Sequence, residues 1–145
     1  MSTFERIDPD PSKSDYLPYA PAVVVPAGSE YFFLSGATGI PLYHAHPHIP
    51  EECVLPDDIR EQTRRVLDTF TDVLAFNGMG WRDVVKFSQF LTDLRDHDAV
   101  QEVIAEYFIG TGWMPASTVV GINALSAPGA RLEIDVVAAR SGEGN

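Results

Sequence analysis

One helical stripe constrains this chain more than any other feature. From Asp57 to Asn77, the residues Ile59, Thr63, Val66, Leu67, Phe70, Val73 and Leu74 recur at helical spacing, with Arg60, Arg64, Asp68 and Asp72 outside the stripe. Asp57 or Asp58 can cap its start, and Gly78 is the expected stop. A helix this one-sided must bury its stripe against a second layer. The stretch from about Asp96 to Phe108 repeats the pattern with Val100, Val103, Ile104, Tyr107 and Phe108. The layer they cover has to come from the β-branched and aromatic runs at 22–25, 30–36, 83–91, 114–122 and 131–137.

The first two runs, joined by Pro26-Ala27-Gly28-Ser29, read as a hairpin. The last two flank Ser126-Ala127-Pro128-Gly129-Ala130 and read as adjacent strands of one sheet. The order β-β-α-β-α-β-β predicts an α+β fold, a single sheet with both helices packed on one face. The uncovered face would leave Val, Phe and Ile side chains in water, so self-association is expected. One domain over 16–140 is expected, with a poorly ordered arm over 1–15 and a disordered tail over 141–145.

Ten basic against 21 acidic side chains give a net charge of −11, which repels phosphate backbones and anionic lipid. No nucleic-acid or membrane partner is expected. Cys53 is the single cysteine and has no intrachain partner, and no cysteine cluster exists for zinc or iron–sulfur. The N-terminus lacks a basic-then-apolar leader, and no apolar run reaches membrane length. A cytoplasmic setting is the expectation.

Two features carry chemistry. Glu133 lies between Leu132 and Ile134, so strand alternation sends it to the opposite face, with Arg131 and Asp135 beside it. An acid there is either a solvated outer residue or a working carboxylate. His44-Ala45-His46-Pro47-His48 lies in about twenty residues of loop between Ala37 and Pro56. Alternate positions of an extended segment point the same way. These imidazoles therefore have three readings: a metal site, contacts to an anionic substrate, or an exposed polar loop.

Several stretches resemble the RidA/YjgF family of reactive-intermediate deaminases. They are Leu17-Pro18-Tyr19-Ala20-Pro21-Ala22-Val23, Phe33-Leu34-Ser35-Gly36, Gln62-Thr63 through Leu67 with Asn77-Gly78, Asp83-Val84-Val85-Lys86, Leu94-Arg95-Asp96, Pro115-Ala116, and Leu132-Glu133-Ile134. The likeness spans roughly 16–140. It implies a chorismate-mutase-like fold of the bacillus type and a homotrimer with active sites in clefts between subunits. It also implies hydrolysis of an imine or enamine acid to an oxo acid and ammonia. By the same likeness Glu133 handles water, and backbone groups near Ser35 and Gly36 hold polar atoms.

The family's carboxylate-gripping arginine follows Pro-Ala, and here that position is Ser117, followed by Thr118. Serine supplies a hydrogen bond but no charge, whereas charge-assisted bonds contribute roughly 1.5–3 kcal/mol each. The family's asparagine on the second helix corresponds to Gln101. The resulting expectation is Glu133 as catalytic residue, with Tyr19, Ser35, Gly36, Gln101, Ser117, Thr118, His44, His46 and Arg131 as substrate contacts. No metal and no cofactor are assigned. Arg131 has a second reading, as the partner of a nearby acid. The substrate differs from the usual small imino acids. The rival function is a non-catalytic trimer that binds a small molecule. An endoribonuclease role, a label some relatives carry, is opposed by the charge.

Overall fold

The computed structural model describes residues 4–142, so the terminal parts of the expected arm (1–3) and tail (143–145) lie outside the described residues. Its elements are β1 (Glu5–Ile7), β2 (Ala22–Val24), β3 (Glu30–Ala37), α1 (Ile59–Phe76), β4 (Val84–Leu91), α2 (His97–Phe108), β5 (Ala116–Gly121) and β6 (Leu132–Arg140), with short 3₁₀ turns between several of them. The main sheet has four strands in the order β3-β6-β4-β5, and both helices pack on one face of it. This is the α+β layer architecture expected.

Both helices are bounded by local chemistry. The Asp58 carboxylate accepts from the Arg60 amide at 2.9 Å and caps α1. At the other end Gly78 takes a positive φ of 71°, the Met79 amide donates to the Leu74 carbonyl, and the Gly78 amide donates to the Ala75 carbonyl. That pair of bonds is the Schellman stop. Val66, Leu67, Phe70 and Leu74 of α1 meet Val100, Val103, Ile104 and Phe108 of α2 above Val84, Phe87, Leu91, Leu132, Ile134 and Val136 of the sheet. Trp81 closes one end of this core and donates from Nε1 to Thr71 Oγ1 at 2.9 Å. The Tyr107 hydroxyl donates to Asp68 at 2.6 Å across the helix pair, and burial together with that carboxylate pushes its pKa up.

Two expected strand pairings are corrected. β2 does not form a hairpin with β3. It pairs antiparallel with β1, Arg6 opposite Val23, in a separate two-stranded sheet. In the described part of the arm Arg6 bonds Asp8 at 2.9 Å and the Ser14 carbonyl at 3.2 Å, and a 3₁₀ turn over Pro11–Tyr16 follows. The Pro26 carbonyl, accepting from the Ser29 hydroxyl at 2.7 Å, closes a turn that separates β2 from β3 instead of pairing them. Finally, β5 and β6 are not neighbours, because β4 lies between them. β4 and β5 run parallel, with α2 as the crossover that parallel neighbours require, while β6 is antiparallel to both β3 and β4.

The face of the sheet away from the helices is open. Tyr31 and Phe33 of β3 are 52% and 78% exposed there, and Glu133, Asp135, Lys86 and Thr118 share it. Among the described residues no helix is long and apolar enough to cross a membrane.

Candidate functional site

Glu133 stands opposite Phe90 in the β4/β6 ladder, so it projects to the open face while Leu132 and Ile134 enter the core. On its other side the β3/β6 register slips. Leu34 faces Val136 and Ala37 faces Ile134, so β3 carries one extra residue across Ser35 and Gly36. Such a bulge bends the strand and moves its backbone. The consequence is local: a Cβ built on Gly36 would overlap the Glu133 carboxylate. Glycine at this position lets the Glu133 carboxylate lie directly against the β3 backbone, in space a side chain would contest.

Beside this contact is a cleft of about 620 Å³. Gly36, Ala37, Glu133, His44, His48 and Cys53 line it, together with Ser126, Ala127 and Pro128 of the loop before β6. That loop is held by Gln62 of α1, which is 1% exposed. Its Nε2 donates to the Pro56 carbonyl at 2.8 Å and to the Gly129 carbonyl at 3.1 Å, and its Oε1 accepts from the Arg131 amide at 3.0 Å. The far wall is the histidine loop. There Glu52 accepts from the Ala45 amide at 2.8 Å, and the three imidazoles of His44, His46 and His48 are gathered with ring centroids 4.6 to 5.1 Å apart.

A second group forms on the opposite face of the sheet. Ser117 pairs with Phe87 across the parallel ladder and so faces the helices. The Gln101 amide donates to Gln89 at 2.7 Å, and the Gln89 amide reaches Ser117 Oγ at 3.4 Å. Pro18, Met114 and Pro115 complete this shallow recess. Tyr19 is exposed beside it, next to Ala20, whose amide donates to the Pro115 carbonyl at 3.0 Å. Gln89, 2% exposed, was not singled out from the sequence as a site residue. Its signal was a polar residue on the Phe87–Leu91 face of β4, where every neighbour is core.

Sequence-expected residues are thus divided. Glu133, Gly36, His44 and the Ser35 bulge belong to one group; Ser117, Gln101 and Tyr19 belong to another. Thr118 is on Glu133's face but on β5, where it accepts from Lys86 Nζ at 2.8 Å. His46 is exposed. Arg131 does not stay beside Glu133. Its guanidinium turns to the entrances of the helices, donating to Asp96 at 3.0 Å and to the Asp57 carbonyl at 2.6 Å, so of its two readings the ion pair is the one formed.

Comparison with known proteins agrees with the fold. The family model described as Endoribonuclease L-PSP matches residues 16–140. Protein DfrA of Myxococcus xanthus is 40% identical over 121 residues, covering 83% of this chain and 84% of that protein. The chloroplastic Reactive Intermediate Deaminase A of Arabidopsis thaliana is 30% identical over 122 residues, 83% of this chain and 58% of that one. The crystal structure of YyfA from Yersinia pestis, titled as a protein of the conserved Rid family, superposes with a TM-score of 0.64 at 31% identity. The match covers 83% of this chain and 86% of that one. Motifs, topology and matches coincide over the same residues, and the chain belongs to the RidA/YjgF family, with its chorismate-mutase-like fold.

Proposed function

We propose that this chain is a hydrolytic deaminase of imine or enamine intermediates, acting in clefts between the subunits of a homotrimer. The observation that carries this reading is the Glu133 carboxylate set against the Ser35–Gly36 bulge at the wall of a solvent-open cleft, in a chain related to a protein named a reactive intermediate deaminase. Glu133 takes a proton from water as the water oxygen bonds to the C=N carbon, and the π pair passes to nitrogen, which is protonated. The carbinolamine so formed takes a second proton on nitrogen. Its C–N bond breaks, ammonia leaves, and the hydroxyl loses its proton as the C=O bond forms. One water is consumed and one ammonia released.

Two features support assembly. The open face leaves Tyr31 and Phe33 in water, an apolar surface suited to another copy. The Ser117 and Glu133 groups occupy opposite faces of one sheet, so only a neighbouring subunit can bring them into one cleft. In that cleft Tyr19, Gln101 and Ser117 would position substrate, with the Ser35–Gly36 backbone, Thr118, His44 and His46 on the Glu133 side. Because Ser117 has no charge, the favoured substrate is larger or less acidic than a small imino acid. The same absence favours the second reading, a trimer that binds a small molecule without turning it over. The net charge of −11 argues against RNA as substrate, and a lone Cys53 suits a reducing compartment such as the cytoplasm.

The test is ammonia release from a panel of imines generated in situ by an amino-acid oxidase. Release above the oxidase-only control, lost in Glu133→Gln, supports the deaminase. A wild type inert on the whole panel that still binds a panel member supports the binder, and Ser117→Arg is then expected to gain activity on small imino acids. A related expectation concerns Gly36. Gly36→Ala should push the carboxylate aside and lower kcat/KM at least tenfold with the fold intact, since β3 is an edge strand and the residue is exposed. Unchanged kinetics in that variant would show the close approach to be incidental.

A further inference from the structure

We propose that His44, His46 and His48 form a binding site for a borderline divalent cation, zinc foremost, with an open coordination position facing the Glu133 cleft. One ring nitrogen from each histidine lies within 4.8 Å of the other two. Around a tetrahedral zinc, nitrogens at about 2.0–2.1 Å from the metal sit about 3.4 Å from one another. Closing the difference takes rotation of side chains that are exposed or half-buried and that pack chiefly against one another. Three imidazoles suit zinc, copper or nickel and have little affinity for calcium or magnesium.

The surroundings fit a ligand set better than a chance cluster. His44 Nδ1 lies 2.7 Å from the Pro41 carbonyl. A carbonyl can only accept, so Nδ1 carries the proton and Nε2 keeps its lone pair for a metal. The Glu52 bond to the Ala45 amide fixes the loop between two of the ligands. Among the described residues no cysteine or carboxylate joins the cluster. A set of three protein ligands leaves a fourth position, the pattern of catalytic zinc and not of closed structural sites. His44 and His48 also line the Glu133 cleft, so a cation they hold would sit at its wall. A cation there would supply the positive charge that Ser117 does not; this role rests on the deaminase reading, while the binding site itself does not.

The experiment is calorimetric titration of the untagged full chain with Zn²⁺ alone, accompanied by the visible spectrum of the Co²⁺ form. The expected result is one cation per chain, binding weakened at least tenfold in His44→Ala and in His48→Ala, and abolished when all three are replaced. The fourth histidine, His97, serves as control, and His97→Ala should leave binding unchanged. Azide should shift the Co²⁺ spectrum by entering the open position. No saturable binding of Zn²⁺ or Ni²⁺, or binding that survives the triple replacement, overturns the site, and a spectrum indifferent to azide overturns its open position. Glu133→Gln is expected to keep the cation, so a failed deaminase assay and a failed metal titration are read separately.

Discussion

Glu133→Gln is expected to lower kcat/KM for imine hydrolysis by about 10²–10⁴-fold, the range typical of removing a general base. Each factor of ten corresponds to about 1.36 kcal/mol of transition-state stabilisation. Glutamine keeps the volume and the acceptor oxygen of the side chain, so its fit against Gly36 and Phe90 is preserved. What it loses is the capacity to take a proton from water. The loss should therefore appear mainly in kcat, with substrate affinity little altered and the circular dichroism spectrum unchanged. If kcat stays within threefold of wild type, water is activated by another group, and Glu133 is only a half-buried residue of the sheet's open face.

Gln62→Leu should destabilise the fold by about 2–4 kcal/mol. Leucine matches the shape of the buried stem but strands three partners: the Pro56 carbonyl, the Gly129 carbonyl and the Arg131 amide. An unsatisfied buried polar group costs about 1–3 kcal/mol, and water reaching the loop recovers part of that. Against a total stability of about 5–15 kcal/mol the change is large. Because Gln62 ties the 126–130 loop to the first turns of α1, the cleft wall loosens as well, and kcat/KM should fall in molecules that remain folded. A urea midpoint lowered without a change in slope is the expected reading. A shift corresponding to less than 0.5 kcal/mol (roughly the scatter of surface substitutions) would mean that the loop is held by other contacts.

Part of the candidate site is legible in the sequence. Alternation gives the face of Glu133, its role and that of Gly36 come from the family resemblance, and the structure brings the two residues into contact. The histidine loop was read as three alternatives, because an extended path brings alternate side chains together only if something bends the loop and holds it. The bond between Glu52 and the Ala45 amide does so, across seven residues. Arg131 shows the limit of alternation. It precedes β6 by one residue, and a long side chain at a strand's end follows the nearest charge, here Asp96. Gln89 escaped notice as a site residue because its partners, Gln101 and Ser117, come from a helix and a strand remote in sequence.

The sequence by itself determined both helices, the strands β2 to β6, the layer arrangement and the family, but not β1. Amphipathic period, caps and turn residues are local properties, and a stripe of apolar residues states which face of a helix must be covered. Only the tertiary structure decided which strands are neighbours. β2 turned to β1, and β4 inserted between β5 and β6, because strand pairing is settled by long-range backbone hydrogen bonds and crossover geometry that leave no local period. The registers of β5 and β6 on β4, with Ser117 opposite Phe87 and Glu133 opposite Phe90, placed the two residues on opposite faces. That division is why a complete site, on the reading proposed, requires a second copy of the chain.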